Sequence, residues 1–212
     1  MGNENRARAE RHALSDALID AGPDAPTLCQ GWTTADLAAH LVIREHRPDT
    51  APGVMIPLFA GHTEKVRLRV RDATPYAHLV ARFRAGPPAW SPFALAAVDA
   101  AANTTEYFVH HEDVRRAQEG WEPRELPPAF EERLWRGLRM ARLVLRRLPV
   151  EITLVDPAGR TQRVTKGGRL VRVHGRPSEL TLWALGRKDA AQVELTGEAE
   201  GINVLNQGRW RL

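Results

Sequence analysis

Cysteine occurs once in the 212 residues, as Cys29. A single thiol excludes an internal disulfide and a thiolate-rich zinc site within one chain. Any resident metal ion must therefore be held by histidine and carboxylate. Lysine is also scarce: only Lys65, Lys166 and Lys188 occur, and arginine supplies the rest of the basic residues. No apolar run approaches the roughly 20 residues that cross a bilayer. The opening "MGNENRARAERHAL" is polar and charged, unlike a secretory leader. These absences predict a soluble, cytoplasmic protein without a membrane partner. The formal charge of +4 is spread over arginines interspersed with acids, as in "RARAER" and "EERLWRGLRMARLVLRR". Nucleic-acid binding would favour a compact basic face with interleaved aromatics. These arginines read instead as solvated helix faces, and no nucleic-acid partner is expected.

What is present is a hydrophobic content of 43%, ordinary for a globular chain. Leu14, Leu18 and Ala21 recur at helical spacing and predict a helix from Arg6 to about Asp20. "AGPDAPTLCQGW" interrupts it. A second helix starts at Thr33, a good N-cap, and stops at Pro48, with Leu37, Leu41, Ala38 and Val42 on its apolar stripe. "PDTAPGVMIPLFAGH" reads as a loop and "TEKVRLRVRD" as a short helix. "ATPYAHLVARFRAG" predicts a helix with Thr74 as cap, Pro75 at its first position and Gly86 at its end. The proline-rich "PPAWSPF" leads to a long helix from Asp99 to Gln118, and a further one is expected from Pro127 to Arg147. After Pro149 the composition shifts to Val, Ile and Thr. "DPAG" and "KGG" break this stretch into a meander of three short strands. A helix capped by Ser178 and a strand in "AAQVELTG" follow; "EAEGINVLNQGRWRL" has no clear period. The fold class is thus α+β: a helical bundle over residues 1–148, then a small α/β module over 149–212.

The chemistry concentrates in "NTTEYFVHHEDVRRA". Glu106 and His110 are four apart, so on a helix they lie one above the other and can address one atom. His111 is rotated by about 100° and points elsewhere. A carboxylate and an imidazole are both ligands for zinc and similar ions, although a simple hydrogen bond across one turn accounts for the pair equally. His40 falls on or near the Leu37/Leu41 stripe and is expected to face the bundle interior. A buried histidine there commonly bonds a backbone carbonyl. Bundles also build metal sites from side chains projecting inward from facing helices. Two histidines and a glutamate would leave a fourth position open, as catalytic zinc requires.

"GWTTADLAAHLV" followed later by "TEYFVHHEDVRRA" resembles the DinB-like superfamily, and more closely the N-terminal domain of mycothiol-dependent maleylpyruvate isomerase. The residues that carry the resemblance are Trp32, Asp36, Leu37, His40 and Leu41, then Glu106, His110 and Asp113. Within the family the chain looks most like an actinobacterial-type metal-binding subgroup. The resemblance implies a DinB-like bundle of four core helices plus an extra one. It extends into the C-terminal module through "PSELTLWALGR". It also implies that His40, Glu106 and His110 hold a divalent ion, usually zinc. Nickel, iron or manganese suit the same donors. The implied partners are a small thiol of the mycothiol type and an electrophilic substrate. The implied activity is an isomerase or S-transferase that uses the metal-activated thiolate. A non-catalytic metal-binding or regulatory module using the same three ligands is the alternative.

Around this triad, Arg44 lies four residues after His40 on the same face and is a candidate for binding a carboxylate of thiol or substrate; a surface ion pair with Glu45, Asp49 or a more distant acid is the other reading. Asp36 suits the helix N-terminus as a dipole partner better than it suits orienting His40. Asp113 is expected to fix its helix end or meet Arg115 or Arg116. His111 and Glu112 are expected at solvent or a neighbouring loop. Cys29 reads as a small packing residue, about 10 Å or more along the helix axis from His40. Trp32 is expected to pack over the end of the bundle. His12, His46, His62, His78 and His174 read as structural or surface residues.

Overall fold

The computed structural model describes residues 3–47, 49, 57–88 and 103–210. They divide into two compact units, Met1–Pro123 and Arg124–Leu212.

In the first unit the described helices are α1 (Asn3–Ala21), α2 (Thr34–His46), α3 (Pro57–Ala73), α4 (Tyr76–Ala85) and α5 (Thr104–Arg115). Helix α1 packs against α2, α4 and α5, and α2 packs against α3 and α4. The apolar stripes expected from the sequence form the core: Leu14 and Leu18 meet Leu37, Ala38 and Leu41, with Leu79, Phe83, Tyr107 and Val114 completing it. Each fully buried leucine of this kind contributes about 1.5–3 kcal/mol. Thr33 caps α2, and its partner is Asp36. The Asp36 backbone N–H donates to the Thr33 hydroxyl, and the Asp36 carboxylate accepts from the Thr33 N–H at 3.0 Å. This reciprocal box satisfies two backbone donors that would otherwise be orphaned.

Three expectations are corrected here. Residues 57–62 belong to α3 rather than to a loop. Helix α4 begins at Tyr76 with Pro75 as its cap residue, and no side chain caps it, so Thr74 does not play that part. Helix α5 ends at Arg115, short of the expected Gln118. The stretch 99–102, the "PPAWSPF" connection from residue 89 onward and most of the 48–62 segment lie outside the described residues.

Helices α1, α2 and α5 are fastened by a buried polar knot. Arg11 Nη2 donates to the Tyr107 hydroxyl at 2.7 Å, and that hydroxyl donates to Glu45 Oε1. Arg11 also pairs with Glu45 at 3.4 Å. Burial pushes the Glu45 carboxyl up from its usual range, against the opposing pull of Arg11 and Tyr107. Glu45 is thus an interior residue rather than a surface partner for Arg44. A buried polar network of this kind fixes helix register. Here it ties α2 close to His40 and α5 at the residue next to Glu106.

The second unit begins earlier than the 148/149 boundary expected from composition. Helix α6 (Pro128–Gly137) packs against α8 (Pro177–Ala184) and therefore belongs with the α/β module. The single helix expected from Pro127 to Arg147 is broken. It ends at Gly137, a poor helix former, continues as a 3₁₀ turn over Leu138–Met140 and closes with α7 (Ala141–Leu145). Of the residues expected on its apolar stripe, Leu134, Leu138, Ala141 and Leu145 are buried and Leu148 is partly buried.

The sheet comprises β1 (Val150–Val155), β2 (Thr161–Arg163), β3 (Arg169–His174) and β4 (Glu194–Gly197), in the order β2-β1-β3-β4. It is not a simple meander. Strands β1 and β3 pair in parallel, while β2 and β4 flank them antiparallel. The Thr165 hydroxyl stands in for a ladder partner, accepting from the Ile152 N–H at 2.7 Å and donating to the Val150 carbonyl at 2.6 Å. Gly168 permits the crossing, because its φ is +80° and a Cβ would come within 2.6 Å of the Pro149 carbonyl. Ser178 does not cap α8. Its N–H and hydroxyl both donate to Glu131 of α6. The final stretch, without period in the sequence, is helix α9 (Ala199–Gln207). No helix among the described residues is long and apolar enough to cross a membrane.

Candidate metal centre

The first unit brings His40 of α2 together with Glu106 and His110 of α5. Glu106 Oε1 lies 3.3 Å from His110 Nε2 and 3.6 Å from His40 Nε2. The two imidazole centroids are 5.3 Å apart, nearly perpendicular. One ligand atom from each of the three residues falls within 4.8 Å of the other two. In a tetrahedral zinc site with bonds near 2.05 Å, ligand atoms stand about 3.3 Å from one another. The two separations from Glu106 are of that order, and the third lies within 4.8 Å.

Arg44 joins the same oxygen, with its Nε 3.3 Å from Glu106 Oε1, while its Nη1 donates to Asn103 Oδ1. These two partners lie within the site, and Glu106 is an acid on another helix. Asn103, the residue before α5, was not singled out in the sequence; it stands 59 positions from Arg44.

The proton inventory at His110 is informative. Its Nδ1–H donates to Asp113 Oδ2 at 2.9 Å. A neutral ring in that tautomer turns its Nε2 lone pair toward the Glu106 oxygen. Two lone pairs facing each other at 3.3 Å require a positive charge between them, either a proton on Nε2 or a cation. In keeping with this, burial opposes the charged form of His110, but hydrogen bonds to Asp113, Cys29 and Glu106 outweigh it and raise the ring well above the usual histidine range. Burial likewise opposes ionised Glu106, yet the two histidines and Arg44 hold it well below the usual carboxylate range. His40 is lowered, chiefly by burial and further by the positive neighbours His110 and Arg44, despite its contact with Glu106.

Behind the triad, four expectations are overturned. Asp113 was expected at its helix end or with Arg115 or Arg116; it is instead fully buried, and its carboxylate accepts from His110. Cys29 is not merely a packing residue, because its thiol donates to Asp113 Oδ2 at 3.2 Å and its sulfur stands 4.0 Å from His110 Nδ1. Cys29, His110 and Asp113 form a second group of ligand-type atoms within 4.8 Å of one another. His111 is buried rather than solvent-facing, its Nδ1 2.8 Å from Glu10 of α1. Glu112 is buried as well, paired with Arg115 and Arg116.

Asp36 behaves as its position suggested. It completes the cap and meets Arg67 and, at 2.7 Å, Arg71 of α3. Trp32 lies against the His40 ring, centroids 5.2 Å apart, and Arg67 covers the Trp32 ring at 4.6 Å. The indole is therefore a wall of the site. The remaining histidines stay outside both ligand groups. His46 meets the Val42 carbonyl, His62 meets Asp49 and His174 meets Thr196. In the second unit, a groove of about 700 Å³ opens beside Val155, Asp156, His174 and Glu194. Asp156 there is already engaged by Arg160, and His174 by Thr196.

The family model for the mycothiol maleylpyruvate isomerase N-terminal domain matches residues 5–51. That span includes Trp32, Asp36, His40 and Arg44 and ends before Glu106 and His110. No curated protein matches the chain in sequence. Two solved structures are similar in fold. One is the mycothiol-dependent maleylpyruvate isomerase, at 17% identity, and the other is a histidine-to-alanine variant of a protein of that name, at 16%. Each alignment covers 95% of this chain and 96% of the other, with a TM-score of 0.57. Residues 5–51 thus match the model of the mycothiol maleylpyruvate isomerase N-terminal domain family, and the described residues share their fold with these structures.

Proposed function

We propose that this protein is a metal-dependent enzyme that uses a small thiol of the mycothiol type, acting as an isomerase or S-transferase on a small electrophile. His40, Glu106 and His110 would hold a divalent cation, with zinc the best fit to two imidazoles and a carboxylate. The observation that carries this reading is the convergence of both Nε2 atoms on one Glu106 oxygen, with the opposite nitrogen of His110 already donating to Asp113. When bound there, the cation would lower the pKa of a coordinating thiol, so that thiolate is available near neutral pH. The chain then needs no cysteine of its own as nucleophile.

The protein's own residues would do the rest. Trp32 shields one face of His40 and limits water on that side. With the two histidines, Arg44 helps hold Glu106 in its ionised form, and its guanidinium, 3.3 Å from that carboxylate, would receive a carboxylate of thiol or substrate. The names of the structurally similar proteins support the thiol and the isomerase class; the electrophile is not specified by these residues.

The test is a cobalt titration. Cobalt-loaded protein receiving mycothiol should develop a sulfur-to-cobalt charge-transfer band, and thiol conjugation to a panel of electrophiles should follow. Cobalt binding without any thiol band would favour a non-catalytic metal-binding module and overturn the enzymatic reading.

A further inference from the structure

The segment between α1 and α2 reaches both proposed ligand histidines. Its Cys29 thiol donates to the buried Asp113, which in turn accepts from His110 Nδ1. Its Trp32 packs on the His40 ring. The segment is itself tied down. The Leu28 N–H donates to the Asp113 backbone carbonyl at 3.0 Å, and the Trp32 N–H donates to the Cys29 carbonyl at 2.9 Å. The Thr27 hydroxyl accepts from the Cys29 N–H at 3.2 Å and donates to the Trp32 carbonyl at 2.9 Å.

We infer that Asp113 and Cys29 are positioning residues for His110. Asp113 fixes the ring in the Nδ1–H tautomer, so that Nε2 presents its lone pair to the site, and Cys29 holds the Asp113 carboxylate by an S–H donation. This rests on the metal reading above and assigns work to two residues beyond the triad. The geometry explains the need for both. Asp113 sits one turn after His110 on the same helix, and its Oδ2 takes both the Nδ1–H and the Cys29 S–H, so the thiol anchors the oxygen that faces the ring. In that role Cys29 acts as a hydrogen-bond donor, not as a nucleophile or a ligand. Carboxylates that bond the far nitrogen of a ligand histidine typically change metal affinity by 10–100-fold when removed.

Two readouts test the inference, and neither depends on activity. The first is the His110 Nδ1–H resonance in ¹⁵N–¹H spectra of metal-free protein, identified by its loss in His110→Gln. The second is Co²⁺ affinity by competition with a chelator, with circular dichroism as the check on folding. Wild type should show a slowly exchanging, downfield Nδ1–H. Asp113→Ala should lose it and bind Co²⁺ about 10–100-fold more weakly. Asp113→Asn, which keeps an acceptor oxygen and the side-chain volume, should fall between the two and serves if the alanine variant does not fold. Cys29→Ser retains a donor and should behave as wild type, whereas Cys29→Val should weaken Co²⁺ binding. Unchanged Co²⁺ affinity and a persistent Nδ1–H in Asp113→Ala would overturn the inference. So would a near-ultraviolet sulfur-to-cobalt band in wild type, without added thiol, that Cys29→Ser abolishes, because the thiol would then be a ligand. If wild type binds no Co²⁺, the metal reading fails by itself, and the Nδ1–H signal alone decides between a tautomer set by Asp113 and none.

Discussion

Replacing Asp36 by asparagine removes one negative charge from a buried junction while preserving shape. Asp36 is 4% exposed and faces Arg67 and Arg71 of α3 as well as the Thr33 N–H. Burial pushes its carboxyl up, but the Thr33 N–H and the two guanidiniums outweigh that and hold it at about 2, against 3.8 for the free side chain. A difference of nearly two units corresponds to about 2 kcal/mol of folding free energy. Because the folded value is depressed, this contribution is complete above the unfolded pKa and is lost as pH falls through about 2. About half should be gone by pH 3. Asp36→Asn should therefore lower stability by about 2 kcal/mol at pH 7, and the gap to wild type should narrow steadily below pH 4. Asp36→Ala also removes the capping box and should cost about 1 kcal/mol more. Guanidinium unfolding followed by circular dichroism from pH 7 to pH 3 measures the difference directly. A deficit that is negligible at pH 7, or that does not shrink with acid, would refute the assignment of Asp36 as an ionised partner of α3.

Other residues yield sharper contrasts. His111→Ala should retain metal but lose about 2 kcal/mol of stability, since Glu10 loses its imidazole partner in the interior; thermal melts paired with elemental analysis test both halves. Tyr107→Phe keeps the ring against Phe83 but removes the hydroxyl between Arg11 and Glu45. It should cost about 1–3 kcal/mol and loosen the register of α2 against α5, seen as weaker Co²⁺ binding. Arg44→Lys keeps the charge but loses the fork that serves Glu106 and Asn103 together. Half-saturation by the thiol should rise in a binding titration, with metal content unchanged. Gly201→Ala in α9 puts a methyl 2.7 Å from Val171 Cγ2 and should cost about 1–3 kcal/mol by overpacking, read by chemical denaturation.

What the sequence disclosed follows the range of the interactions. Helical stripes such as Leu14/Leu18 and Leu37/Leu41 are local patterns, and the core is built from them. The Thr33–Asp36 box and the Glu106–His110 step are likewise written within one turn. Contacts that close over distance carry no such mark. Cys29 and Asp113 are 84 positions apart, and Glu10 and His111 are 101 apart. Both histidine and cysteine therefore looked ordinary until the helices were placed. Glu45 gave no local sign of its buried role because its partners Arg11 and Tyr107 come from α1 and α5, not from its own helix. The break at Gly137 and the parallel pairing of β1 with β3 were hidden for a related reason: local periodicity continues through the first, and short turns disguise the second as a meander.

The central claim is that His40, Glu106 and His110 share one cation. Metal content and Co²⁺ affinity, measured side by side for wild type, His40→Ala, Glu106→Ala, His110→Ala and His111→Ala, address it most directly. The account predicts one ion per chain in wild type and His111→Ala, and loss of that ion in each of the other three. Stoichiometric metal retained in His110→Ala or His40→Ala, or wild-type protein that takes up no divalent ion at all, would contradict it.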